Sequence, residues 1–216
     1  MAVARTQSIA GTNGAGGPLK VTLSSAVTAG DLLFIVVGQY GKTSAGALAT
    51  QTNWENLPVI QDNLGSQSGY NAICDRLISL YHRATIFVVP VVSVTGLQSF
   101  TIYTAAPAIV YAVEYSGLAG IFDGATQALV NFGTTWASPA ITTSGTGMVF
   151  TYVGLALAQS VTLAATQGTL LSETDNATAV CSAGCVEHIN TAAATYNPAG
   201  TTAATQEVGT ITVAYK

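Results

Sequence analysis

The chain has 216 residues, 49% of them hydrophobic, with only six Lys and Arg against ten Asp and Glu and a formal net charge of −4. Soluble domains commonly give about a quarter of their positions to charged residues; here the share is 7%, so hydroxyls, amides and small side chains, or neighbouring molecules, must cover the surface. The few scattered charges exclude a basic stripe for nucleic acid and a polybasic segment for an anionic membrane, and the longest apolar runs, Leu32–Val37 and Ile86–Val92, fall far short of the roughly 20 residues of a membrane helix.

The first residues, Met1 to Ser8, carry Arg5 but no apolar stretch before Gly11, so they do not read as a secretory signal. The expectation is a chain that stays in the cytosol or leaves by a route needing no signal. Residues 1–18, which end in Gly-Thr-Asn-Gly-Ala-Gly-Gly-Pro, read as a flexible N-terminal arm, and 19–216 as a single domain. Short β-branched and aromatic runs then predict strands at Leu19–Ser24, Asp31–Tyr40, Val59–Asp62, Ile78–Ala84, Thr85–Val94, Ser99–Thr104 and Ile109–Tyr115. Further strands are predicted at Gln127–Phe132, Ala140–Thr143, Met148–Ala156, Thr169–Thr174, His188–Thr195 and Val208–Tyr215. Phe100 and Ile102 alternate with Thr101 and Tyr103, and Ile211, Val213 and Tyr215 with Thr210, Thr212 and Ala214, so each of these strands buries one face. Leu32–Val37 and Ile86–Val92 do not alternate and read as central or covered strands, with Pro90 arguing for a bulge or an edge. Asn71–Leu80 is the best short helix candidate and reads equally well as strand; Ala192–Thr205 reads as a long loop turning at Asn197-Pro198. The sum is an all-β chain, a single antiparallel β-sandwich.

Residues that carry chemistry are sparse. A hydrolytic triad needs a nucleophile, a His base and an orienting carboxylate, yet His82 and His188 stand apart and no Gly-x-Ser-x-Gly turn is present. No catalytic residue and no cofactor are assigned, and the reading is non-enzymatic. Cys181 and Cys185 flank Gly184 and read as a short-loop disulfide or as two free thiols in a turn; with His188 they make too few ligands for a closed zinc site, so no metal is assigned. The acids are isolated along the chain, and Glu114 interrupts an apolar strand, where it is either paired in the interior or set on a wet face beside Tyr111 and Tyr115. Trp54, Trp136 and Tyr70 sit in polar segments, as glycan-stacking rings or subunit contacts do, and Asp62 and Asn63 lie at a turn beside them.

Three segments carry a resemblance: Ala29-Gly-Asp-Leu-Leu33 opening a long strand, Asp62-Asn-Leu-Gly65 at a hairpin tip, and Glu114-Tyr-Ser-Gly117 followed by Asp123-Gly124. In this order, over about residues 20–155, the chain resembles jelly-roll-type β-sandwich modules of phage virion proteins and bacterial surface proteins. The resemblance implies motifs that shape turns and carry no catalysis. Unlike that family's usual pattern, Gly65 is followed by a longer tip, Ser66-Gln67-Ser68-Gly69-Tyr70. Two functions follow as expectations. The first is a structural virion subunit, a capsid-decoration or tail-associated protein that self-associates and binds a larger protein lattice such as a capsid. The second is a carbohydrate-binding or adhesin module of an extracellular, cell-surface protein, with a glycan as partner.

Overall fold

The computed structural model describes residues 2–41, 57–65, 70–79, 82–89, 96–155, 161–163, 168–176 and 181–216. Among these residues there are sixteen strands, paired antiparallel, and no helix. The N-terminal half builds one pair of layers. β1 (Ala4–Asn13), β8 (Ala108–Ser116), β3 (Leu32–Tyr40), β6 (His82–Val89) and β5 (Asn71–Ser79) lie side by side in that order, and β2 (Gly17–Thr22), β7 (Ser99–Thr104) and β4 (Val59–Asp62) form a smaller sheet against them. The C-terminal half builds the other pair. β12 (Val161–Leu163), β16 (Ala199–Tyr215), β11 (Gly147–Leu155), β14 (Cys181–Asn190) and β13 (Thr169–Asn176) form the second large sheet, with β9 (Phe122–Ala137) also on β16, and β10 (Ile141–Thr143) pairs with β15 (Ala194–Tyr196) over its outer face.

The two large sheets pack face to face as a β-sandwich, and the covering layers explain the apolar runs. Successive side chains of a strand point to opposite faces. In β3, Leu32, Phe34 and Val36 enter the core between the large sheets, while Leu33, Ile35 and Val37 enter a second core under β2, β7 and β4 with Phe100 and Ile102. With both faces buried, no polar position is left to alternate, which bears out the covered strand expected over Leu32–Val37. β11 repeats the device: Met148, Phe150 and Tyr152 enter the central core, Val149 packs under Ile141, and Val153 and Leu155 pack with Trp136. Phe34 and Phe150 stack across the sandwich at 5.9 Å. Each such side chain contributes about 1.5–3 kcal/mol by leaving water.

At one corner the large sheets come unusually close. A Cβ added at Gly38 would lie 1.8 Å from the Tyr152 hydroxyl oxygen, at Gly154 1.7 Å from His82 Cε1, and at Gly209 1.9 Å from the Ile78 carbonyl oxygen. Gly154 and Gly209 face each other across the β11–β16 ladder, so both rows leave room for β5 and β6.

Several expectations are corrected. The segment read as a flexible arm forms β1, paired with β8 from Ala4 to Asn13 with a bulge between Arg5 and Gln7, and Val3 reaches the central core. Its polar and small residues give no apolar run, because an edge strand is held as much by its ladder as by burial. Of the two readings left open for Asn71–Leu80, strand is the one observed, over Asn71–Ser79. His188–Thr195 is broken after Asn190, and the expected loop at Ala192–Thr205 contains β15 and the start of β16. Pro90 lies outside the described residues.

Candidate functional site

The acids of the first and third motifs meet, Asp31 just before β3 and Glu114 near the end of β8. Pairing of β3 with β8 sets Leu32 opposite Tyr115 and Leu33 opposite Glu114, which carries Asp31 to Glu114 at the end of this ladder. Glu114 is fully buried and shares a hydrogen bond with Asp31, which is itself buried. Glu114 Oε2 accepts from Gln7 Nε2 on β1, and Oε1 accepts from the Thr28 backbone N–H at 2.7 Å. Thr6 Oγ1 donates to Asp31 Oδ2 at 3.3 Å. Burial first, then the hydrogen bond and charge of Glu114, hold the Asp31 carboxyl above its ordinary value, against the opposing pull of Thr6. A hydrogen bond between two carboxyl groups needs one proton, and Asp31 is the group whose protonated form its surroundings favour. Asp31 borders an open cleft of about 680 Å³ that Thr6, Thr28, Gly30, Ser116 and Leu118 also line.

This geometry limits the chemistry. Glycoside hydrolysis sets its two carboxyl groups about 5–9.5 Å apart, with sugar or water between; here they touch. Gln7, Thr28 and Thr6 donate to the two groups, so the pair fastens β1 and the segment before β3 onto β8. Of the two readings of Glu114, the interior pairing is the one observed.

Asp62, Asn63 and Tyr70 also come together. Asp62 Oδ1 accepts from the Leu64 N–H and Oδ2 from the Tyr70 hydroxyl, both at 2.9 Å. Asn63 Oδ1 accepts from the N–H groups of Gln98 and Ser99, and its Nδ2 donates to the Gly96 carbonyl at 2.8 Å. Gly65, at φ +81°, closes the turn in the left-handed region, as the motif implies. Burial, then the Asp62 hydrogen bond, pushes the Tyr70 phenol well above its ordinary value, and its ring meets Phe100 edge-on. Asp123 plays the same part in the third motif, accepting from Ser144 N and Oγ at 2.9 and 2.7 Å.

The remaining expected site residues do not converge. Trp136 is 2% exposed and packs against Val153, Leu155, Val186 and Val208, so it offers no ring face to a glycan or a neighbouring subunit; Thr134 and Thr135 beside it are exposed, which made the segment read as a polar loop. Trp54 lies outside the described residues. Cys181 and Cys185 are free, buried thiols within β14, not partners around a turn. Four residues of extended chain span about 13 Å, beyond the roughly 4.4–6.8 Å between the Cα atoms of a disulfide. Burial pushes both thiols above their ordinary value. His188 faces away from them, its ring 4.2 Å from Tyr196. Among the described residues no three His, Cys, Asp or Glu side chains gather to hold a metal ion.

Comparison with known proteins finds no family model that matches the chain and no curated protein that matches its sequence. The residues that sequence reasoning missed are Thr6, Gln7 and Thr28, the partners of the carboxyl pair; the acid inside an apolar strand was the only signal that partners had to exist.

Proposed function

We propose that the chain is a non-enzymatic structural subunit, working bound to copies of itself or to a larger protein lattice, and that its setting is a phage virion, as a capsid-decoration or tail-associated protein of jelly-roll type. The observation that carries the assembly is the outer sheet. Its solvent face presents a row of Pro18, Tyr103 and Val59, registered side by side across β2, β7 and β4. Tyr103 and Val59 are 43% and 49% exposed, with Leu57 and Leu64, about half exposed, at the two ends of β4. Lys20 is the one charged side chain on the outward positions of β2 and β7. Exposed edge strands in soluble monomers are ordinarily guarded by charge, and burial against a partner removes the need for it. The virion setting is supported by the resemblance of the three motifs, whose acids here fasten turns and strands of the chain itself.

Val59→Glu and Tyr103→Glu test the face, because both side chains already point to water and the fold does not depend on them. The expected result is at least a tenfold weaker association in analytical ultracentrifugation, with the thermal transition unchanged. Association of undiminished strength in both variants would remove this face from the reading. A monomer that binds oligosaccharides would favour the glycan-binding alternative.

A further inference from the structure

At the glycine corner His82, 1% exposed, heads a buried chain of hydrogen bonds that runs between the sheets. Its Nε2 lies 2.9 Å from the Tyr152 hydroxyl, which lies 3.1 Å from the Tyr40 hydroxyl, which lies 3.0 Å from the Ser182 carbonyl oxygen. The directions of these three contacts are fixed by counting protons. A carbonyl only accepts, so Tyr40 donates to Ser182. Tyr40 then has no proton left for Tyr152, so Tyr152 donates to Tyr40. Tyr152 in turn has none left for the ring, so His82 Nε2–H donates to Tyr152. In any other arrangement one contact would set two lone pairs against each other. The ring is therefore the neutral Nε2–H tautomer, and Nδ1 is a bare lone pair, enclosed and without a hydrogen-bond partner.

We propose that His82 is a proton-operated lock on this corner: one proton from solvent, taken up at Nδ1, releases β5 and β6 from β11 and β16. An imidazolium has nothing to receive its second N–H here, because a Cβ position at Gly154 is only 2.1 Å from Nδ1 and the space is filled by strand backbone. Nor does any described residue offer the ring a counter-charge. The titratable groups around the ring are Tyr40 on β3, Tyr111 on β8, Tyr152 on β11, and Cys181 and Cys185 on β14, all neutral at neutral pH with burial opposing their ionisation. The charged groups of the adjoining strands are Asp75 and Arg76 on β5, Arg83 on β6, Glu114 on β8, Glu173 and Asp175 on β13, Glu187 on β14 and Glu207 on β16. Arg83 is held by Asp75 and Asp175 accepts from Ser182 Oγ. Burial is the cause that lowers the ring to about 3, with no charge acting on it. The closed corner thus binds the proton more weakly than the open one, whose histidine has its ordinary 6.5, so stability is fully present above 6.5 and drains away as pH falls toward 3.

The test is amide hydrogen exchange of the full chain, corrected for intrinsic rates, in wild type and His82→Gln, whose Nε2 can still donate to Tyr152 but cannot titrate. Opening of β6 and β11 in wild type should rise up to about tenfold for each pH unit below 6, as one proton requires, and the variant should lack this slope. Equal slopes in the two proteins would overturn the proposal. Should His82→Gln not fold, the ring nitrogens of wild type decide by NMR. A neutral Nε2–H ring for as long as the corner is closed supports the lock, and an Nδ1–H tautomer, or an imidazolium within the closed fold, overturns it.

Discussion

At the scale of single residues, the acids separate by the sign of their pH effect. Asp31 is held above its ordinary value, so its contribution is fully present below the unfolded-state value near 3.8 and is lost as pH rises through the folded-state one. Asp31→Asn keeps a hydrogen-bond donor for Glu114 and removes the titration. Between pH 4 and 8 the variant should therefore gain stability relative to wild type, read from urea midpoints; parallel pH profiles would show that no proton is held in the pair. Asp75 and Asp123 act in the opposite sense. Burial alone would raise Asp75, but hydrogen bonds from Arg83 and Thr85, with the charges of Arg83 and Arg76, hold it below its ordinary value. Asp123 is likewise lowered on balance, burial being outweighed by Ser144 and Lys216. Their contributions are present above about 3.8 and are lost as pH falls through the lowered values. The thiols give a separate test. Cys181 and Cys185 should stay unreactive until the chain is unfolded, and intact mass should not change with reductant; a mass lower by two hydrogens that reductant restores would contradict the extended β14.

At the scale of elements, the glycine corner decides how closely the sandwich closes. Gly154→Ala and Gly209→Ala place a methyl on the His82 ring or the Ile78 carbonyl, and each should cost at least the roughly 1–3 kcal/mol typical of overpacking, because neither a fully buried ring nor a backbone carbonyl can easily step aside. Gly145, in the loop before β11, has open space around its Cβ direction, and Gly145→Ala should change stability by less than about 0.5 kcal/mol in chemical denaturation. Equal effects at the three sites would refute the close approach. The same elements show what the sequence makes legible. β3, β7, β8, β11 and the second half of β16 were readable because their apolar residues either alternate or fill both faces. β1 and the first half of β16 were not: they are written in Ala, Thr, Gly and Gln, and only ladder pairing distinguishes them from loop. Gly184 suggested a turn between the cysteines, yet it lies within β14, paired opposite Val153. Asp31 and Glu114 were each visible, but their meeting depends on which strands pair, and alternation specifies a strand's faces without naming its neighbours. Trp136 was misplaced for a related reason, since its burial follows from the pairing of β9 with β16 and not from the threonines around it.

At the scale of the whole molecule, the central claim is association through uncharged surface. A chain with 7% charged residues has few ion pairs to screen; among the described residues Arg5 with Glu187, Arg83 with Asp75 and Lys216 with Asp123 all lie within the fold. An interface made from side chains such as Tyr103, Val59 and Leu57 is held by apolar burial, which salt does not weaken. Light scattering of the purified chain at low salt and at about 1 M, where the Debye length is roughly 3 Å, tests this most directly. An oligomer of the same mass is expected in both; a soluble monomer under both conditions, or an oligomer that dissociates in high salt, would contradict association through uncharged surface.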